Sequence, residues 1–191
     1  MKSTAQRVPE SLIYEIVDGQ PIYYKGYKDY LNGEKQFEEI MGSSYIQSLL
    51  ITSLVCFLDA KLDKKYRVLT SEVGLQFEKK RRRVADIAIY EKVQLKKIED
   101  PNKYLNIPPK IVIEVDIKAE PEDVMSTLSY FHKKTDELLK NGVEKVIWIF
   151  TDSRKVMTAE TATSWQILDW SIDIEIIDGL KVNIEKLIDA D

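Results

Sequence analysis

The architecture of this chain can be worked out from one segment, KIVIEVDI, which spans residues 110–117. In a β-strand successive side chains point to opposite faces, so Val112, Glu114 and Asp116 would share one face, with apolar residues on the other. This pattern is typical of a half-buried strand with a polar outer face. A strand covered on both faces fits as well, because Val112 interrupts the polar face. A covered carboxylate would then have to be paired or bound to a metal.

The segments before and after residues 110–117 predict one α/β domain. Asp18-Gly19 joins two short apolar runs, which is the signature of a β-hairpin. Ser43 and Ser44 are candidate caps for a long helix, and Gly142 is placed to end a second one. The predicted elements are a hairpin at 14–17 and 20–24, a helix from 43 or 44 to about 62, strands at 66–77, 84–90 and 110–117, a helix at about 122–141, a strand at 146–150, and further strands with a short helix at 184–188. We therefore expect a single α/β domain over residues 1–191, with the core order helix, three strands, helix, strand.

The composition limits the chemistry available to the chain. Of its 191 residues, 44% are hydrophobic and 31% charged, which is typical of a folded globular domain. The single histidine, His132, excludes histidine-rich metal sites and disfavours a Ser-His-Asp mechanism. The single cysteine, Cys56, lies in an apolar run, where we expect it to be buried. Catalysis would therefore rest on carboxylates, lysines and a hard cation.

The sequence also limits where the protein works. No apolar run approaches the roughly 20 residues that cross a bilayer, and residues 1–10 are too polar for a signal peptide. One cysteine cannot form an internal disulfide. We therefore expect a soluble protein of the reducing cytoplasm without a membrane partner.

A nucleic-acid partner would need a local basic patch, because the net charge of −4 disfavours indiscriminate DNA binding. One such patch exists, and it precedes Asp86 by three residues. It fits phosphate binding, and it fits equally a solvated turn that discourages edge pairing. The patch consists of Lys79, Lys80, Arg81, Arg82 and Arg83.

Four motifs, taken in their order and spacing, resemble a known family. They are YEIVDG at 14–19, VADIA at 84–88, PKIVIEV at 109–115, and the stretch from 134 to 149 that contains Gly142 and VIWI. From residue 14 to about 187 the chain is similar to the Uma family of restriction-endonuclease-like proteins, within the PD-(D/E)XK superfamily. The resemblance implies a restriction endonuclease-like αβββαβ core with a mixed central sheet flanked by helices. It also implies an N-terminal β-hairpin and extra C-terminal strands.

The resemblance further implies a catalytic site. Asp86 and Glu114 would bind Mg²⁺ or Mn²⁺, and Lys134, eight residues before Gly142, would be the catalytic lysine. The reaction would be metal-assisted hydrolysis of phosphodiester bonds in double-stranded DNA. Further candidates are Asp116 as a third metal ligand, Lys118 as a rival lysine, and Glu38 or Glu39 as an acid from the first helical region.

Three departures from the family pattern lead to other hypotheses. Ala85 stands where a proline is usual, Asp116 stands where the wider superfamily has its lysine, and residues 43–45 contain no histidine. The second hypothesis is therefore a catalytically inactive nuclease fold that binds DNA. A third is a small regulatory protein that acts through dimer contacts. A homodimer is also expected for a nuclease that cuts two strands.

Overall fold

The computed structural model describes residues 8–161 and 164–189. Its strands are β1 (Ile13–Val17), β2 (Gln20–Tyr24), β3 (Tyr66–Glu78), β4 (Arg81–Glu91), β5 (Ile111–Val115), β6 (Ala119–Glu120), β7 (Lys145–Phe150), β8 (Lys155–Glu160), β9 (Gln166–Asp169), β10 (Ile174–Ile177) and β11 (Leu180–Val182). Its α-helices are α1 (Tyr27–Leu31), α2 (Phe37–Met41), α3 (Tyr45–Lys61), α4 (Lys92–Leu95), α5 (Thr127–Lys140) and α6 (Ile184–Ile188), and a 3₁₀ turn (Glu10–Leu12) precedes β1. With the short α4 and β6 left aside, the order α3-β3-β4-β5-α5-β7 is the predicted helix, three strands, helix, strand.

The main sheet is mixed. Its order is β6-β2-β1-β4-β5-β7-β8-β9, with β3 beside β4, while β10 and β11 form a separate hairpin. Strands β5 and β7 are parallel, and the other paired strands of this sheet are antiparallel. A helical crossover through α5 joins the two parallel strands, as a parallel connection requires.

The sheet forks at β4, because this strand has three neighbours and only two edges. Strand β3 pairs along one edge, from Glu91 to Arg81. On the other edge β5 pairs at residues 87–89, whereas β1 pairs at Arg82. Asp86 therefore lies where β5 and β1 separate.

Helices cover both faces of the sheet centre. On one face the fully buried Leu50, Leu54 and Leu58 of α3 pack against the isoleucines of β4, β5 and β7. On the other face Leu138 of α5 packs against Val112 of β5 and its neighbours. All five residues of β5 are buried, so this strand is covered on both faces and has no polar outer face. Each such leucine contributes roughly 1.5–3 kcal/mol by its burial.

The predicted local elements agree with the structure where short-range signals fix them. Asp18 and Gly19 have φ of 50° and 79°, as a tight hairpin turn requires. The Ser44 hydroxyl accepts a hydrogen bond from the Gln47 amide and so caps α3. The predicted short helix at 184–188 is α6.

Three expectations were wrong in detail. The helix expected from about 122 begins at Thr127, because Ser126 caps it and a turn from Pro121 precedes it. The strand expected to reach 117 ends at Val115, because the next residue has a φ of 59°. Cys56 is exposed, because it lies on the face of α3 that points away from the sheet.

The expectation about a signal peptide falls mostly on residues 1–7, which lie outside the described residues. Within 8–161 and 164–189, no helix is long and apolar enough to cross a membrane.

Candidate active site

Asp86 lies at the fork of the sheet, with its carboxylate against the backbone of β5. Its Oδ2 accepts a hydrogen bond of 2.8 Å from the Val115 amide, which places it beside Glu114. Its Oδ1 is buried and accepts no hydrogen bond, although the Lys118 ammonium lies 2.9 Å away. Such a buried oxygen is costly, and a bound cation would relieve the cost.

Glu114 lies one residue before Val115 and faces α5. Its Oε1 is 3.1 Å from the Lys134 ammonium and is also buried without a hydrogen bond. Burial raises the pKa of Glu114 to about 8; the Lys134 charge opposes this effect, and the Asp86 and Glu15 charges add to it. Burial therefore favours the neutral form of this carboxyl group, and a cation beside it would favour the ionised form.

Lys134 is a fully buried counter-ion. Its ammonium donates to the Val84 carbonyl at 2.7 Å and lies 2.9 Å from a Glu15 oxygen and 3.1 Å from a Glu114 oxygen. The contact with Val84 is a hydrogen bond and the two carboxylate contacts are ion pairs, so the ammonium is held entirely within the protein. Burial lowers the pKa of Lys134, but the two carboxylates outweigh burial and the pKa is raised, so the side chain stays charged.

Glu15 connects Lys134 to the rest of the buried network. Its Oε1 accepts a hydrogen bond from the Val84 amide (2.9 Å), and its Oε2 accepts from the Tyr130 hydroxyl (2.6 Å) and the Arg83 guanidinium (2.8 Å). Burial raises the pKa of Glu15, but the Lys134 and Arg83 charges outweigh it and lower the pKa to about 2. Glu15 is therefore ionised at all physiological pH values and fixes both cations.

The buried charges do not balance. Among the described residues, four carboxylates and two cations are buried. The carboxylates are Glu15, Asp86, Glu114 and Glu137, and the cations are Arg83 and Lys134. Full ionisation would leave an excess of two negative charges in this set, of which the partly exposed Lys118 beside Asp86 offsets one. A divalent cation would favour the fully ionised state. A donor set made only of oxygen atoms favours Mg²⁺ or Mn²⁺ over zinc.

The donor set is small. No group of three or more His, Cys, Asp or Glu side chains in the described part of the chain could hold a metal ion. Mg²⁺ is commonly bound through one or two carboxylates, with water and substrate phosphate as its other ligands. Asp86 and Glu114, each with a buried unsatisfied oxygen, therefore fit this kind of cation.

Lys118 lies at the open side of the same site. Its ammonium is 2.9 Å from Asp86 Oδ1 and 3.6 Å from a Glu72 oxygen, and the side chain is 17% exposed. It lines an open cleft of about 280 Å³ that leads to Asp86 and is also bordered by Ser43, Ser48, Ile51, Thr52, Thr70, Ser71 and Glu72. Solvent or a substrate could reach Lys118 through this cleft, whereas Lys134 is 1% exposed.

The backbone of β3 is distorted opposite Asp86. Thr70 pairs with Ile87 and Val73 pairs with Ala85, so two residues of β3 stand opposite one residue of β4. These two residues, Ser71 and Glu72, have φ of 69° and 58°. Such bulges occur next to active sites, where they re-aim side chains. Here the bulge brings the Glu72 carboxylate to Lys118.

Two predicted acids do not reach the site. Asp116 was expected to share a face with Glu114, but its positive φ turns it away, and its carboxylate accepts hydrogen bonds from the Thr151 amide (2.8 Å) and hydroxyl (2.7 Å). Glu39 is exposed, and its carboxylate accepts a hydrogen bond from the Gln36 amide at the start of α2. Neighbouring Glu38 is exposed as well. Asp116 therefore holds a turn, and Glu39 caps a helix.

The basic run does not form one surface. Arg83, expected to bind nucleic acid, is 1% exposed and forms ion pairs with Glu15 (2.8 Å) and Glu137 (2.6 Å), so that prediction is wrong. Arg81 is partly exposed and pairs with Asp18 and Glu78. Lys79 and Lys80 are exposed and form the turn between β3 and β4. They precede Asp86 by six or more residues, which places them about 20 Å from Asp86 along the strand. The remaining member of the run, Arg82, is partly exposed.

The residues that sequence reasoning missed are buried or bulged polar residues. A register shift in β1 between Ile13 and Glu15 lets Tyr14 and Glu15 both point inward, which strict alternation does not allow. In the sequence, the only sign that Glu15 is buried is its position inside an apolar strand. Gln47 was also missed; its side-chain amide donates to the Val115 carbonyl at 2.6 Å and holds the end of β5.

Comparison with known proteins connects this geometry to a family. The family model Uma2, described as "Putative restriction endonuclease", matches residues 30–170. The chain belongs to this family. A search of curated proteins gives no match.

The Uma2 chain also resembles a solved structure, described as that of "a putative nuclease belonging to DUF820" from Anabaena variabilis ATCC 29413. The TM-score is 0.66 at 17% sequence identity, covering 92% of this chain and 89% of that chain. At this identity the likeness shows the fold alone. The mixed sheet flanked by helices is thus the restriction endonuclease-like fold, as the sequence predicted. The structure brings Asp86, Glu114 and Lys134 together, and their roles stay a prediction.

Proposed function

We propose that this Uma2 protein is a Mg²⁺- or Mn²⁺-dependent endonuclease that hydrolyses phosphodiester bonds in double-stranded DNA. One observation carries the proposal: Asp86 and Glu114 meet at the fork of the sheet, each with a buried oxygen that accepts no hydrogen bond. The nuclease family to which the chain belongs supports the reaction class.

Each residue would have a distinct part in this chemistry. Asp86 and Glu114 would hold the cation, which when bound would polarise the phosphate and lower the pKa of a bound water. Lys134 would orient Glu114 and limit the repulsion between the two acids, because its buried ammonium already contacts Val84, Glu15 and Glu114. Lys118 would face the substrate, because it lines the open cleft.

The test is a cleavage assay on supercoiled plasmid with Mg²⁺ or Mn²⁺. We expect the wild-type protein to nick or linearise the plasmid and Asp86→Ala to lose this activity. Glu39→Gln is the matched control, because Glu39 is an exposed acid at the start of α2 and should leave cleavage unchanged. If no DNA is cut with either metal, or if Asp86→Ala cuts as fast as wild type, the proposal fails.

A second candidate function is DNA binding without turnover. It is favoured by the two lysines already beside the carboxylates, Lys118 at 2.9 Å from Asp86 and Lys134 at 3.1 Å from Glu114. Salt-sensitive DNA binding that is lost when Lys79 and Lys80 become alanine, with no cleavage in any metal, would support it. Absence of DNA affinity at low salt would reject it.

For the active nuclease we further propose a homodimer, since one copy per strand is the simplest way to cut a duplex. Sedimentation of the purified protein tests this: a dimer mass is expected, and a monomer mass at all concentrations contradicts it.

A further inference from the structure

A second cleft, larger than the one at Asp86, has no role in the site described so far. Its volume is about 670 Å³, and it lies beside the hairpin of β3 and β4. Its lining includes Gln76, Arg82, Lys97, Asn102, Tyr104 and Asn106. The cleft therefore combines an aromatic ring with amides, cations and the two acids Glu99 and Asp100.

Tyr104 is held on the floor of this cleft by its own backbone segment. The Leu105 amide donates to the Gly74 carbonyl at 2.9 Å, and the Leu105 carbonyl accepts from the Gln76 amide at 2.8 Å, so the segment extends the edge of β3. The ring lies directly on Gly74, where an added Cβ would be only 2.6 Å from a ring carbon. The Tyr104 side chain is nevertheless 46% exposed. A large aromatic ring is thus fixed in position and open to the cleft.

Arg82 adds a planar cation to this ring. Its guanidinium carbon lies 5.9 Å from the Tyr104 ring centroid, within the range of a cation–π contact. Within the described residues, no carboxylate forms an ion pair with Arg82 or Lys97, whereas Lys103 pairs with Asp100 at 3.2 Å. The ring and guanidinium offer flat surfaces for stacking, and the amides can hydrogen-bond a base edge.

This cleft lies next to the carboxylates. Gly74, against which the Tyr104 ring lies, is two residues from Glu72 on β3. The Tyr24 hydroxyl donates to Glu72 at 3.2 Å, and Glu72 lies 3.6 Å from Lys118 at the Asp86 site. Along β4, Arg82 is four residues from Asp86, which is about 13 Å.

We propose that Tyr104 and Arg82 form a stacking site for an unpaired nucleobase, on the strand whose phosphate would lie at Asp86 and Glu114. The choice of a nucleic-acid ligand rests on the proposed nuclease function. Stacking tolerates any base, so the site would hold and orient a strand without reading its sequence.

The test is binding of a fluorescein-labelled single-stranded oligonucleotide of mixed sequence, measured by anisotropy at low salt in EDTA. Tyr104→Ala should weaken binding about 5- to 150-fold, the range for loss of one stacked base. Tyr104→Phe keeps the ring and should bind like wild type. Gly74→Ala should weaken binding without removing the ring, because the new methyl group displaces it, and its circular dichroism spectrum checks that it folds.

Arg154→Gln is the matched control for Arg82→Gln. Arg154 is an exposed arginine over an aromatic ring outside the cleft, 4.9 Å from the centroid of Trp170, and it also pairs with Glu185. We expect Arg82→Gln to weaken oligonucleotide binding and Arg154→Gln to leave it unchanged. Unchanged binding by Tyr104→Ala, or no binding by the wild-type protein, would overturn the stacking site.

The outcomes for the two proposals can be told apart. Binding that depends on Tyr104, together with no cleavage in Mg²⁺ or Mn²⁺, would reject the nuclease proposal and support the stacking site. Cleavage by wild type that persists in Tyr104→Ala with unchanged binding would support the nuclease and reject the stacking site.

Discussion

Glu15→Gln should destabilise the fold strongly, although Glu15 lies outside the proposed metal site. The carboxylate accepts hydrogen bonds from the Arg83 guanidinium, the Val84 amide and the Tyr130 hydroxyl, and it pairs with Lys134. A neutral amide removes the charge that two buried cations require, and its NH₂ group would face further donors. Removing one partner of a buried ion pair leaves the other charge uncompensated.

The size of the effect follows from the pKa of Glu15. Folding lowers this pKa from 4.5 to about 2, which corresponds to about 3 kcal/mol of stability at neutral pH. Because the folded-state pKa is the lower one, this contribution is complete above pH 4.5 and is lost as the pH falls from 4.5 to about 2. The difference between wild type and Glu15→Gln should therefore be largest at pH 7 and should shrink below pH 4.5.

Urea unfolding followed by circular dichroism, at pH 7 and at pH 3, measures both effects. The control is Glu160→Gln, which breaks an ion pair of 2.8 Å with Lys145 in which the glutamate is 41% exposed. Such a surface pair contributes at most about 1 kcal/mol. If Glu15→Gln costs no more than Glu160→Gln at pH 7, or if its cost does not change with pH, the reasoning about Glu15 is refuted.

Three further predictions concern residues around the site. Arg83→Ala should lower the free energy of unfolding by about 3–5 kcal/mol, because it leaves Glu137 buried without its cation and removes one of the two cations beside Glu15. Urea unfolding measures this change, and a loss below about 1 kcal/mol would indicate an exposed arginine. Asp116→Ala should lower stability by about 2 kcal/mol, because it removes both hydrogen bonds to Thr151 and puts alanine at a positive φ. It should leave Mn²⁺ affinity unchanged, and a large loss of affinity in titration calorimetry would restore Asp116 as a ligand. Ser44→Ala should cost about 1 kcal/mol through loss of the α3 cap, seen as a lower Tm, whereas Ser43→Ala should not.

The parts of the fold that could be predicted from the sequence depend on short-range signals. The Asp18-Gly19 turn, the Ser44 cap and the apolar strand at 146–150 each act through a few neighbouring residues. The start of α5 could not be placed, because Pro121 begins a separate turn that the apolar pattern does not register. Cys56 was expected to be buried because an apolar run does not reveal which face of a helix meets the sheet.

The candidate site could be predicted in part. The resemblance to the Uma family identified Asp86 and Glu114 as a pair, and the structure brings them together. Glu15 and Arg83 could not be recognised as buried partners, because a bulge in β1 and a contact with α5 decide their burial. Such long-range contacts leave no periodic trace in the sequence. Asp116 was misplaced because alternation assumes an extended backbone, and its positive φ breaks that assumption.

Titration of the purified protein with Mn²⁺, followed by calorimetry, tests most directly whether two acids at the fork of the sheet share a cation. Wild type should bind Mn²⁺ with a stoichiometry of one per chain, and Asp86→Asn and Glu114→Gln should each bind it at least about tenfold more weakly. Glu39→Gln should bind like wild type. Undetectable Mn²⁺ binding by wild type, or equal affinity in Asp86→Asn and Glu114→Gln, would contradict the metal site.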